Sequence, residues 1–171
     1  ALAVLPNMGA GSAISENAPT ATVYHIKGKV WSYSASVPIS GVKVTVNSSA
    51  ALPVYTDSTG AFDIVVSNNT SRKVTFEHVQ YETNQAYVDN TSFNDTTLIA
   101  NIGDIGLTRL ESISGIDKNR ADSFLSDVNV TVNTAAWTTT SSAGYFIVYF
   151  NATNADIIFR KVGYFEGQKT N

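Results

Sequence analysis

The run Val42-Lys43-Val44-Thr45-Val46-Asn47 returns as Val128-Asn129-Val130-Thr131-Val132-Asn133, and its surroundings return with it. Gly28 is answered by Gly115, and Gly60-Ala61-Phe62 by Gly144-Tyr145-Phe146. Phe76-Glu77-His78-Val79-Gln80-Tyr81 is answered by Phe159-Arg160-Lys161-Val162-Gly163-Tyr164. A pattern repeated over that length means two copies of one supersecondary unit. The copies differ at their ends. After Tyr81 the first runs on through Leu98, Ile99, Ile102, Ile105 and Leu107, whereas only Phe165–Asn171 follows Tyr164. The second copy is therefore expected to lack one or two strands, and a sheet short of a strand leaves its core open at an edge.

Residue types make both units β. Charged residues are only 15% of the 171, while Thr, Ser, Asn, Val and Ala dominate, as in strands with polar, uncharged outer faces. Val42, Val44 and Val46 alternate with polar neighbours, as do Phe62, Ile64 and Val66, which is the signature of half-buried strands. In the first unit strands are expected over 23–31, 42–47, 52–56, 62–66, 73–79, 85–88 and 98–107, with Pro53 marking an edge. The expected division is an N-terminal extension at 1–22, a first sandwich domain at 23–108 and a second, incomplete one at 109–171. Thr108–Ser112 contains neither Gly nor Pro, which predicts a stiff junction. In the second unit Tyr145–Phe150 is apolar on both faces, so Ile147 and Tyr149 are expected to receive cover from a partner or neighbouring domain.

Several segments resemble the carboxypeptidase regulatory-like domain: Gly28-Lys29-Val30, the stretch Val37–Val46 and the turn Thr56-Asp57-Ser58-Thr59-Gly60-Ala61-Phe62. Val74–Tyr81 and Asp104-Ile105-Gly106-Leu107 continue the likeness, which covers the first unit in full and the second up to Tyr164. The resemblance implies an all-β chain of two tandem, seven-strand-type, transthyretin- or immunoglobulin-like β-sandwiches, the second lacking its last strand or strands. Such modules occur beside carboxypeptidases and in surface receptors, adhesins and extracellular fibres. The resemblance thus implies a stalk or scaffold rather than a chemistry.

The residues themselves point the same way. There is no cysteine, which removes disulfides, thiolate metal sites and thiol nucleophiles. The two histidines, His25 and His78, fall in separate predicted strands and read as sheet residues rather than a catalytic or zinc pair. Asp117, Asp122 and Asp127 gather near one loop but form no D-x-D-x-D-G run, so turn residues outrank a calcium site. Trp31, Tyr33, Tyr55, Trp137, Tyr145 and Tyr149 could stack sugars, but cross-strand packing or subunit contacts are the favoured reading. No catalytic residue, metal ligand or cofactor is expected. A net charge of −3 without a basic cluster argues against nucleic acid, and no apolar run reaches the ~20 residues of a membrane span.

Sequons point outward to the cell surface. Asn47, Asn68, Asn69, Asn90, Asn94, Asn129 and Asn151 each begin N-x-S/T, and strand alternation turns Asn47 and Asn129 to solvent. N-linked glycans are expected there. The opening Ala1-Leu2-Ala3-Val4-Leu5 is apolar with no basic region before it, which fits a mature start after signal cleavage. It also offers what the other end needs. Leu2, Val4, Leu5, Met8 and Ile14 could lie as a donor strand in a neighbour's second unit, on one side of Pro6. Tyr145, Ile147, Tyr149, Ile158 and Phe165 are the expected acceptor residues. Donor and acceptor differ, so the contact would propagate head to tail into a homopolymer. The expectation is an extracellular filament subunit. The alternative is a non-polymerising adhesion or carbohydrate-binding module.

Overall fold

A computed structural model describes residues 22–47, 51–152 and 154–170. Its strands are β1 (Tyr24–Ser32), β2 (Lys43–Val46), β3 (Val54–Tyr55), β4 (Ala61–Val66), β5 (Arg72–His78), β6 (Tyr81–Val88) and β7 (Ile99–Leu107). These are followed by β8 (Glu111–Ile116), β9 (Asn129–Val132), β10 (Ala136–Thr139), β11 (Tyr145–Phe150), β12 (Asp156–Arg160) and β13 (Gly167–Thr170). The described residues contain one 3-10 turn at Asn90–Ser92, capped by the Asp89 carboxylate, and no α-helix. The protein is all-β.

In the first half, a sheet ordered β4-β1-β7 faces one ordered β3-β2-β5-β6. Alternation sends Ile26, Val30, Val44, Ile64, Val74 and Phe76 into one shared core, where Phe62 meets Phe76 edge-on with ring centres 5.5 Å apart. β3 is an edge, as Pro53 demands. In the second half a sheet ordered β10-β9-β12-β13 faces the pair β11-β8 around Val130, Val132, Phe146, Val148 and Ile157. Phe146 meets Phe159 at the same 5.5 Å.

The halves repeat each other bond for bond. Buried Thr56 accepts from Val42 N (2.9 Å) through its hydroxyl and donates to Ile39 O (2.7 Å); buried Thr140 does the same with Val128 N (3.0 Å) and Leu125 O (2.6 Å). Each hydroxyl satisfies a backbone donor and a backbone acceptor that would otherwise be stranded, a loss of about 1–3 kcal/mol for each group left unpaired. Gly60 (φ +75) and Gly144 (φ +69) end the matching turns. A Cβ there would fall 2.5 Å from Val30 O and 2.4 Å from Asp117 O, so only glycine fits.

One difference from the sequence reading lies in the last strand. Gly167–Thr170 forms β13 on β12, although Gln168 and Lys169 show no apolar alternation. Among the described residues the second half therefore lacks only a counterpart of β7. The linker is also held down: Leu110 N donates to Gln80 O and Glu82 N to Thr108 O, both at 2.9 Å, and Arg109 bridges to Tyr81.

Candidate functional site

β1 and β8 hold equivalent places, with Gly28 matching Gly115. β1 pairs antiparallel with β4 and parallel with β7, so Ile26 lies between Ile64 and Ala100. β8 pairs antiparallel with β11, which sets Ile113 beside Val148; among the described residues nothing pairs along its other side. Unsatisfied donors and acceptors along a flat strand invite a further strand.

Burial falls at several positions where that neighbour is missing. Val44 and Val130 are both fully buried, Phe62 and Phe146 are both 6% exposed, and Ile64 and Val148 are both buried. Ile26 is fully buried but Ile113 is half-buried. The same change separates Ile39 from Leu125, Val66 from Phe150 and Phe76 from Phe159. These exposed core residues line two grooves at opposite ends of β8. One, of about 560 Å3, lies at its start against Ile113, Phe150 and Ala155. The other, of about 650 Å3, lies past its end against Leu125, Val128, Phe159 and Phe165. Asp117 stands in this second groove, in the place where the first half carries buried Val30.

The expected acceptor residues divide. Phe165 lines the groove beyond β8 and is fully exposed. Tyr145, Ile147 and Tyr149 alternate with inward Phe146, Val148 and Phe150, so they face away from the core. Tyr149 owes its cover to the first half, whose Gln80 Nε2 donates to the Tyr149 hydroxyl at 3.0 Å; Asn151 is likewise bonded to Glu82. Ile158 is turned outward because its neighbour Ile157 takes the core position. The groove at the start of β8 is lined by Ile113 and Phe150 and the one past its end by Leu125 and Phe159, which the sequence reading missed. Superposing β8 on the first unit's opening strand was the signal that could have found them. The expected donor residues Leu2, Val4, Leu5, Met8 and Ile14 lie outside the described residues.

The sequon asparagines are exposed, apart from half-buried Asn69. Asn94 accepts from Thr96 N and Thr97 N (3.0 and 2.8 Å), and Asn129 from the Thr131 hydroxyl (3.0 Å), so both shape local backbone or neighbouring side chains.

Titratable groups serve the sheets. Asp63 binds Lys27 (2.8 Å) and His25 (2.7 Å) across β4 and β1. Partial burial raises its pKa, but the bonds from Lys27 and His25 outweigh burial and leave it below the ordinary value. Asp57 is depressed by the Thr59 hydroxyl and by the Thr59 and Ala61 amides, and Asp89 by Thr91 and Ser92. His78 ends β5, where burial pushes its pKa down. Its Nδ1 accepts from Gln80 N (3.2 Å), directly before the amide that holds Tyr149. Asp122 pairs with Lys118 (3.0 Å) and Asp127 accepts from the Ser126 hydroxyl (2.9 Å). Among the described residues no three His, Asp or Glu converge as a metal site, and no helix is long and apolar enough to cross a membrane.

No family model and no curated protein matches the chain. Among solved structures it is similar to a streptococcal ancillary pilin, at TM-score 0.47 and 10% identity, over 87% of this chain and 58% of that one. It is similar to the shaft pilin SpaA of Lactobacillus rhamnosus GG, at TM-score 0.40 and 10% identity, over 87% of this chain and 93% of that one. A third likeness is to the Bacillus anthracis TIE protein, at TM-score 0.38 and 12% identity, over 86% of this chain and 30% of that one. All three scores lie below 0.5, so the functional argument rests on the chain's own geometry.

Proposed function

We propose that this chain is a structural, non-enzymatic subunit of an extracellular, cell-surface filament. Each copy comprises two tandem sandwiches of the carboxypeptidase regulatory-like kind, at 23–108 and 109–171. The N-terminal segment of a neighbouring copy completes the second sandwich at the open side of β8. Donor and acceptor lie on different parts of the chain, so the contact repeats head to tail without closing. Exposed sequons carry N-linked glycans on the filament's outer surface.

One observation carries the reading. Among the described residues β1 has two neighbours and β8 one, and Ile113, Leu125, Phe150 and Phe159 beside the gap are less buried than their first-half counterparts. A strand added there would gain main-chain bonds and return these side chains to an apolar surround, at about 25 cal/mol for each Å2 of apolar surface covered.

Deleting residues 1–14 tests it by negative-stain microscopy and size-exclusion chromatography. The intact chain is expected to form filaments that resist heat and detergent, and the truncated chain to remain a monomer. Filaments of normal length from the truncated chain would overturn the proposal. So would an intact chain that stays monomeric while binding a glycan, which is the behaviour of an adhesion module.

A further inference from the structure

We infer that the strand completing β8 is Met8–Ile14 of a second copy, running parallel to β8, with Met8 beside Ile113 and Ile14 beside Asn119. The inference rests on the filament reading and specifies its direction and register.

Direction follows from the first half, where β7 lies parallel to β1 and leads into β8 through Thr108-Arg109-Leu110. A parallel donor leads into its own copy's β1 in the same sense, through Ser15–Val23, so each joint between copies repeats the joint within one. An antiparallel donor would have to reverse outside the sheet.

Register follows from three matches. First, β7 places Ala100 beside Ile26 and Leu107 beside Ser32, which corresponds to Ile113 on β8 and to Asn119 past its end. Met8 to Ile14 spans that interval one for one, without the irregularity that β7 makes between its bonds to Lys27 and Lys29. Second, Met8, Ala10, Ser12 and Ile14 alternate with Gly9, Gly11 and Ala13, so the larger side chains share one face. At the start of β8, Met8 would replace both Ala100 and Phe93, which together fill that place in the first half; a long, flexible thioether suits such a gap. Past the end of β8, Ile14 would take the role of buried Leu107 against Leu125, Val128 and Phe159. Third, the exchange of Val30 for Asp117 is matched in the donor. The residue brought beside Asp117 is Ser12, where the first half pairs Val30 with Ile105. The groove around Asp117 also carries Lys118, Arg120 and Lys161 at its lining, and a serine hydroxyl from the added strand is a further donor that Ile105 could not supply.

Because the chain has no cysteine, engineered pairs report position cleanly. Ser114 is exposed on the outer face of β8, and the inferred register sets Gly9 beside it, whereas an antiparallel strand would bring Ala13 there. Filaments of S114C/G9C and of S114C/A13C are oxidised, dissociated in concentrated formic acid, which leaves disulfides intact, and run on denaturing gels without reductant. The first pair is expected to lose its monomer band to a covalent ladder, and the second to keep it. A ladder from the second pair overturns the direction. A cross-linked monomer from the first pair overturns the second copy as donor, and filaments without cross-links from either pair overturn Met8–Ile14 as occupant. Absence of filaments from the cysteine-free chain is the separate failure of the filament reading itself.

Discussion

Ile26 and Ile113 stand at the same point of one repeated pattern, yet only Ile26 is sealed. Everything that the local sequence controls is duplicated: the threonine clamps at Thr56 and Thr140, the glycine turns at Gly60 and Gly144, and the Phe62–Phe76 and Phe146–Phe159 contacts. What differs is what β7 supplies from a distance. Among the described residues the second core lacks the neighbour that β7 gives the first; in the proposed filament a second copy supplies it, and with it part of the stability.

That comparison can be broken by matched truncations. Ile26→Ala removes a fully buried side chain and is expected to cost the first half about 2–5 kcal/mol in urea unfolding. Ile113→Ala should cost the isolated chain about 1 kcal/mol or less, because half-burial leaves less transfer energy to lose. In filaments its cost should climb towards that of Ile26→Ala. Equal costs in the isolated chain would show that β8 is already covered.

A smaller effect concerns the joint between the halves. Burial depresses the pKa of His78 below the ordinary imidazole value of 6.5, so the unfolded chain binds its proton more readily. His78 therefore adds stability that is complete above pH 6.5 and fades as pH falls through the folded pKa. Protonating Nδ1 also ends its bond from Gln80 N, and with it the support for Gln80 on Tyr149. Thermal midpoints should decline between pH 7.5 and 5, and H78Q should flatten the decline. An identical decline in H78Q would remove His78 from the joint.

Much of this fold is legible in the sequence. Period-two alternation locates β2, β4 and β9, Pro53 marks the edge at β3, and Gly60 and Gly144 mark positive-φ turns. Less legible is anything decided by a distant partner. Gln168 and Lys169 carry no strand pattern and pair because β12 offers an edge. Adjacent Ile157 and Ile158 leave the phase of β12 undecided until Val130 and Val132 fix which one points inward. Tyr149 reads as an acceptor because apolar exposure is visible in sequence, whereas Gln80, far along the chain, is not. The location of the open edge on β8 depends on the parallel pairing of β7 with β1, which no local sequence pattern shows.

The most direct test is amide hydrogen exchange along β8. In the first half His25 N donates to Leu98 O at 2.9 Å, so the equivalent Ser112 amide points over the open edge, and Ser114 follows by alternation. In the chain lacking residues 1–14 these two amides should exchange rapidly, and in filaments of the intact chain they should become protected. Protection in the truncated monomer, or rapid exchange within filaments, would contradict completion of the second sandwich from outside.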